Sequence, residues 1–196
     1  MTSSNRLGLS FVVVFIAFAT AANALAQNKN PDLLDSVPPT DNIYPAGADA
    51  TNEIQVALKR ATSEHKRVLL VFGANWCYDC HVLDHALHEG EAGKIMTDKF
   101  LLVHVDIGEG EKNSNLIKDY KIPLDKGVPA VAILETDGKL LYSSGEGEFE
   151  AARRMLKRDL LAFLKRWSPK EKVTMVVSPV PAYRSKLSHS RLNVNL

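Results

Sequence analysis

Both cysteines of this 196-residue chain fall in residues 75–81, which read NWCYDCH. Cys77 and Cys80 are three positions apart, with Trp76 before them and His81 directly after. As a pattern, C-x-x-C-H suits two chemistries. One is a dithiol that opens and closes a disulfide; the other is attachment of a c-type haem, with His81 as axial ligand. A third is open as well. His81, His85 and His88 recur at helical spacing, one turn beyond Cys77, and thiolate with imidazole is a soft donor set for copper or zinc.

The elements that must hold these residues narrow the choice. Residues 67–73 (RVLLVFG) form a continuous apolar run ending in glycine, the mark of a strand buried on both faces. It leads straight into the cysteines. The segment after them, roughly 77–98, carries Val82, Leu83, Ala86 and Leu87 as an apolar stripe, so it is a helix that Gly90 and Gly93 interrupt. Upstream, residues 51–66 place Ile54, Ala57, Leu58 and Ala61 at helical spacing. Downstream come a second buried strand (100–107, containing His104), a short helix (SNLIKDYK), a third strand (129–135), a TDGK turn and a partner strand (LLYSSG). A long amphipathic helix over 148–167 closes the series, with Leu156, Leu160, Leu161 and Leu164 on its core face. The order α-β-α-β-α-β-β-α predicts an α/β fold, a central mixed sheet of about four to five strands flanked by helices. A chain with so many strands, one of which runs into the motif, leaves no room for a macrocycle. The haem reading falls.

The chain begins with Arg6 and an apolar run over residues 7–19, followed by Ala24 and Ala26 as the small residues of an A-x-A site. This predicts a signal peptide over residues 1–26, cleaved after Ala26. The run is shorter than the ~20 residues of a membrane span. The expected product is periplasmic or secreted, where disulfides persist. A bridge three residues apart removes little unfolded-state entropy, so the pair is chemical rather than structural. Residues 1–26 contain one basic residue and no acidic one, leaving 23 basic residues against 23 acidic. That balance argues against a nucleic-acid partner. The length fits one domain with extensions: a linker or N-terminal extension over 27–50, a domain over 51–168 and a flexible tail over 169–196.

In this setting the chain resembles the thioredoxin family. Trp76-Cys77-x-x-Cys80 follows a buried strand and opens a helix, Val105-Asp106 ends the next strand, Gly127-Val128-Pro129 begins the third, and Gly145 closes the fourth. The resemblance covers roughly residues 50–167. It implies a thioredoxin fold and a disulfide oxidoreductase; the protein is further expected to be a monomer with no cofactor and no resident metal. Cys77 is expected as the exposed attacking thiol, its thiolate favoured by the N–H groups and dipole of a helix N-terminus. Cys80, one turn on, is expected as the more buried resolving thiol. The resemblance places Trp76 as an apolar wall beside the sulfur, Pro129 in a cis bond against the disulfide, and Val128 as a backbone partner for an extended substrate. Tyr78, Asp79 and His81 are expected to tune the redox couple, with Asp79 opposing the Cys77 thiolate and making the protein more reducing.

Two departures stand out. Thioredoxins commonly bury an acid six residues before the first cysteine, and Val71 is there instead. The stretch KIPLDKG before Val128 is a few residues longer than in minimal thioredoxins. The expected partners are disulfides or thiols of exported proteins and a membrane electron-transfer partner. The alternative is a copper- or zinc-binding chaperone on the same fold, using Cys77, Cys80 and the neighbouring histidines.

Overall fold

The structure is a computed structural model that describes residues 30–38 and 42–170. The expected signal peptide, and all but the first two residues of the expected tail, lie outside the described residues. Helix α1 (Ala50–Glu64) starts where the Asp49 carboxylate accepts the N–H of Asn52 at 3.0 Å, relieving one of the orphan donors of a helix N-terminus. It stops at His65, which takes a left-handed conformation. Strand β1 (Arg67–Gly73) follows, with every residue after Arg67 buried.

β1 lies in the middle of a four-stranded mixed sheet of order β2-β1-β3-β4. Strand β2 (Phe100–Asp106) runs parallel to it, with Val71 opposite His104. Strand β3 (Ala130–Leu134) runs antiparallel, with Val71 opposite Val131. Strand β4 (Leu140–Ser143) pairs antiparallel with β3 at the far edge. The two central strands are apolar without a break because both faces of the sheet are covered. Val68, Leu70 and Phe72 pack with Ile54, Ala57 and Ala61 of α1. Leu69 and Val71 face the other way, toward Val82, Leu83, Leu160 and Leu164. Each such side chain withdrawn from water contributes roughly 1.5–3 kcal/mol. The edge strand β2 is different: its burial alternates, leaving His104 only half-buried.

The segment after the cysteines is two helices, α2 (Tyr78–His88) and α3 (Gly90–Lys99), broken at an extended Glu89. The glycines explain the break. Gly90 has φ +56°, and any Cβ on Gly93 would run into the His88 carbonyl. Helix α4 (Ser114–Asp119) follows β2, and a 3-10 turn over Leu124–Lys126 takes up the longer KIPLDKG stretch.

The closing helix is shorter than expected. A 3-10 turn at Ala152–Arg154 is followed by an extended Met155 and Leu156, and α5 spans only Lys157–Trp167. The cause is the N-terminal extension. Leu33 bridges Leu156 in antiparallel fashion. Leu34 N donates to Met155 O at 3.0 Å, and Lys157 N donates to Asp32 O at 2.7 Å. These bonds hold residues 155–156 in an extended conformation. Leu160 and Leu164 are buried as expected, while Leu156 and Leu161 are only half-buried.

Candidate active site

Cys77 is the N-cap residue of α2, with φ −82° and ψ 105°. Extended backbone at that point turns the chain from β1 into the helix. Its sulfur accepts the backbone N–H of Cys80 at 3.1 Å, so one of the free donors of the helix mouth reaches the reacting atom. Cys77 and Cys80 form a disulfide with their Cα atoms 5.3 Å apart. Cys77 is 5% exposed and Cys80 is 0% exposed. Cys80 is the more enclosed of the two, and Cys77 is far less open than the exposed attacking thiol expected from the sequence. Ile43 and Val128 pack against the pair and shield it.

The Val128-Pro129 peptide bond is cis, and the Val128 carbonyl oxygen lies 3.5 Å from Cys77 Sγ. Gly127, with φ +105°, leads the chain into that corner. The third strand therefore begins beside the disulfide. Trp76 is 57% exposed. Its indole Nε1–H donates to Gly108 O at 2.9 Å, in a loop whose Gly108 N–H is held by Asp106 Oδ1 at 2.9 Å. Trp76 is thus tethered over the loop that follows β2, its ring largely open to solvent.

The three residues expected to tune the couple point in different directions. Asp79 is buried; its Oδ1 accepts the Arg153 N–H at 2.9 Å, and Oδ2 is 3.5 Å from the Arg153 guanidinium. That guanidinium also lies over the Tyr78 ring, 5.8 Å from its centroid. His81 is buried too. Its Nε2–H donates to Asn75 O at 2.8 Å, and Nδ1 has no partner among the described residues.

The histidines do not converge. His88 Nδ1–H donates to Asp84 O at 2.7 Å, on its own helix. His85 lines a groove with Leu34 and Lys157. Among the described residues no group of three or more His, Cys, Asp or Glu side chains is placed to hold a metal ion. His104, expected to pack within its strand, instead donates from Nε2 to Asp84 Oδ1 at 2.9 Å.

Three contributors escape the sequence reading. Tyr44, in the polar extension, is buried against Cys77 and Cys80. Asn75 holds it there: Oδ1 accepts the Tyr44 N–H at 3.0 Å, and Nδ2 donates to the Tyr44 carbonyl at 2.8 Å. Burial, followed by the negative charges of Asp84 and Asp106, pushes the Tyr44 phenol above the usual tyrosine range. Gly73 is the third, since a Cβ there would collide with the Tyr44 hydroxyl and fall 2.6 Å from Cys80 Sγ. The signal for Tyr44 was the pair Ile43-Tyr44, an apolar step within a Pro- and Asp-rich stretch.

A four-stranded mixed sheet between helices, a cis-proline strand start and a helix-capping Cys77–Cys80 disulfide define a thioredoxin-like oxidoreductase fold. The chain belongs to the thioredoxin-like family, whose model matches residues 49–136. It is similar to a disulphide isomerase from Xylella fastidiosa Temecula1, at 35% identity and a TM-score of 0.61, over 65% of this chain and 98% of that one. It is also similar, at 18% identity and a TM-score of 0.45, to the C-terminal domain of DsbD from Neisseria meningitidis in its oxidised form, over 61% and 96% of the two chains. An uncharacterized protein of Caenorhabditis elegans is 32% identical over 99 residues; the match covers 50% of this chain and only 13% of that protein.

Proposed function

We propose that this chain is an exported thiol–disulfide oxidoreductase that exchanges disulfides with other exported proteins, mainly in the reducing direction. The observation that carries the reading is the Cys77–Cys80 disulfide at the mouth of α2, with the Val128 carbonyl against Cys77 Sγ. In the reduced protein the Cys77 thiolate attacks one sulfur of a client disulfide. The client S–S bond breaks, its other sulfur leaves with the electron pair, and a mixed disulfide joins Cys77 to the client. The Cys80 thiolate then attacks Cys77 Sγ, closes the internal disulfide and releases the client's second thiolate. Cys77 is the attacking sulfur because it is the one with any exposed surface. Val128 offers backbone to an extended client segment, and Trp76 offers an exposed ring beside it.

Export is supported by Arg6, the apolar run over 7–19 and the Ala24/Ala26 site. The reducing direction is supported by the acidic Asp79 between the cysteines, and it requires a membrane partner to supply electrons. The name of the Xylella relative, disulphide isomerase, accords with a role on protein disulfides.

Equilibration of the full chain with a glutathione redox buffer tests the direction. A potential below about −200 mV supports a reductase, and one near about −120 mV places the protein among oxidants. Cys80→Ser should accumulate mixed disulfides with exported proteins, whereas Cys77→Ser should not. Equal trapping by both variants would defeat the assignment.

A further inference from the structure

Tyr44 is 1% exposed, and its hydroxyl has no hydrogen-bond partner among the described residues. A buried hydroxyl left unpaired is costly and calls for an explanation. Its surroundings supply one. The space over the Gly73 Cα is closed by two groups, the Tyr44 phenol and Cys80 Sγ, and Tyr44, Cys77 and Cys80 form one buried cluster. Val71, two residues earlier in β1, brings no polar atom. In the disulfide, Cys80 Sγ is a weak acceptor; as a thiolate it is a strong one.

We propose that Tyr44 is a further catalytic residue, whose hydroxyl donates a hydrogen bond to Cys80 Sγ whenever that sulfur carries negative charge. The inference rests on the exchange reading above. When a thiolate attacks Cys77 Sγ, the Cys77–Cys80 bond breaks and its electron pair goes to Cys80 Sγ, which Tyr44 O–H then meets. In the opposite direction the Cys80 thiolate, held by the same bond, attacks Cys77 Sγ of the mixed disulfide and expels the client sulfur with its electron pair. Tyr44 keeps its proton throughout. Burial and the charges of Asp84 and Asp106 push the phenol up, which suits a donor and not a base. The titratable groups around it are Cys77, Cys80 and Asp84 on the α2 side, and His104 and Asp106 of β2, with the His104 ring centroid 5.2 Å from that of Tyr44. Asn75 fixes the position through both backbone groups of Tyr44.

The test uses the full chain carrying Cys77→Ser, in which Cys80 is the one remaining thiol. Its ionisation is followed by the ultraviolet absorbance of the thiolate, with and without Tyr44→Phe. The phenylalanine variant should move the Cys80 midpoint up by about one pH unit, the size expected for losing a hydrogen bond to a charged sulfur. Equal midpoints overturn the proposal. If Tyr44→Phe does not fold, the carbon-13 shift of Tyr44 Cζ in the Cys77→Ser chain gives a second reading. It should change as Cys80 ionises, and a static signal overturns the proposal equally. The two readings fail separately. A wild-type protein that exchanges disulfides while the midpoints coincide defeats the role of Tyr44 alone. One that shows the midpoint difference but exchanges nothing defeats the catalytic role together with the proposed function.

Discussion

Asp79, between the two cysteines, accepts a hydrogen bond at 2.9 Å from the backbone N–H of Arg153, a residue 74 positions away. The contact ties the first turn of α2 to the 3-10 turn at Ala152–Arg154, and the Arg153 side chain reinforces it over the Tyr78 ring. Asp79→Ala removes this part-buried hydrogen bond to a carboxylate and should cost about 1 kcal/mol in chemical denaturation. Asp79→Asn retains an acceptor oxygen and should cost less. It also removes the negative charge near Cys77, so the reduction potential should rise by roughly 10 mV, equivalent to about 0.5 kcal/mol. The rise is small because the guanidinium already offsets part of that charge. A potential that stays put or falls removes Asp79 from any tuning role.

Gly73 is required by the approach of two side chains and not by its backbone angle. A Cβ there would be 2.6 Å from Cys80 Sγ and 2.9 Å from Tyr44 Cζ, with the phenol oxygen in the way as well. Gly73→Ala should therefore destabilise the protein by about 1–3 kcal/mol. The same substitution should cost less in a Tyr44→Phe background, where one clashing atom is absent. A double-mutant cycle in guanidinium measures the difference. Strict additivity would show that the phenol oxygen does not approach Gly73.

Much of this arrangement is legible in the sequence, and the legible part is local. The unbroken apolar runs of β1 and β3 announce strands covered on both faces, and Gly90 and Gly93 mark the break between α2 and α3. The strand-to-helix step that puts Cys77 at a helix mouth is visible for the same reason. What escapes depends on distant segments. The closing helix loses its first turns because Asp32 and Leu34 hydrogen-bond to residues 155–157, and tertiary pairing overrides a local helical pattern. Tyr44 reaches the dithiol, and Arg153 the two residues between the cysteines, from the two ends of the domain, so no spacing near Cys77 points to either. His81, His85 and His88 fail as a group for a related reason: His81 turns inward to the Asn75 carbonyl and His88 bonds back to its own helix.

Asn75 should behave as a positioning residue for Tyr44. Its side chain pairs both backbone groups of Tyr44, as another strand would. Asn75→Ala frees both and should cost about 1–2 kcal/mol, the worth of two ordinary hydrogen bonds. Asn75→Asp keeps an acceptor for the Tyr44 N–H and loses the donor to its carbonyl, so it should fall between the two. If Asn75 acts through Tyr44, Asn75→Ala also raises the Cys80 ionisation midpoint measured in the Cys77→Ser chain. A stability loss with no change in that midpoint would leave Asn75 a purely structural role.

Asp84, one turn beyond Cys80, makes stability depend on acid. Burial alone would raise its pKa, but the His104 hydrogen bond and the charges of His104, His88 and His81 outweigh it, holding the carboxyl below its ordinary 3.8. The folded state therefore favours the ionised form more than the unfolded chain does. The resulting stabilisation is fully present above the unfolded value, about pH 4, and is lost as the pH falls from there through the folded pKa. Asp84→Asn removes the titration while keeping an oxygen that can accept from His104 Nε2. The variant should be less stable than wild type near neutral pH and lose less stability on acidification, so the two denaturation midpoints converge in acid. Parallel curves across the acid range would mean that Asp84 titrates as it does in the unfolded chain, and that its pairing with His104 adds nothing to the fold.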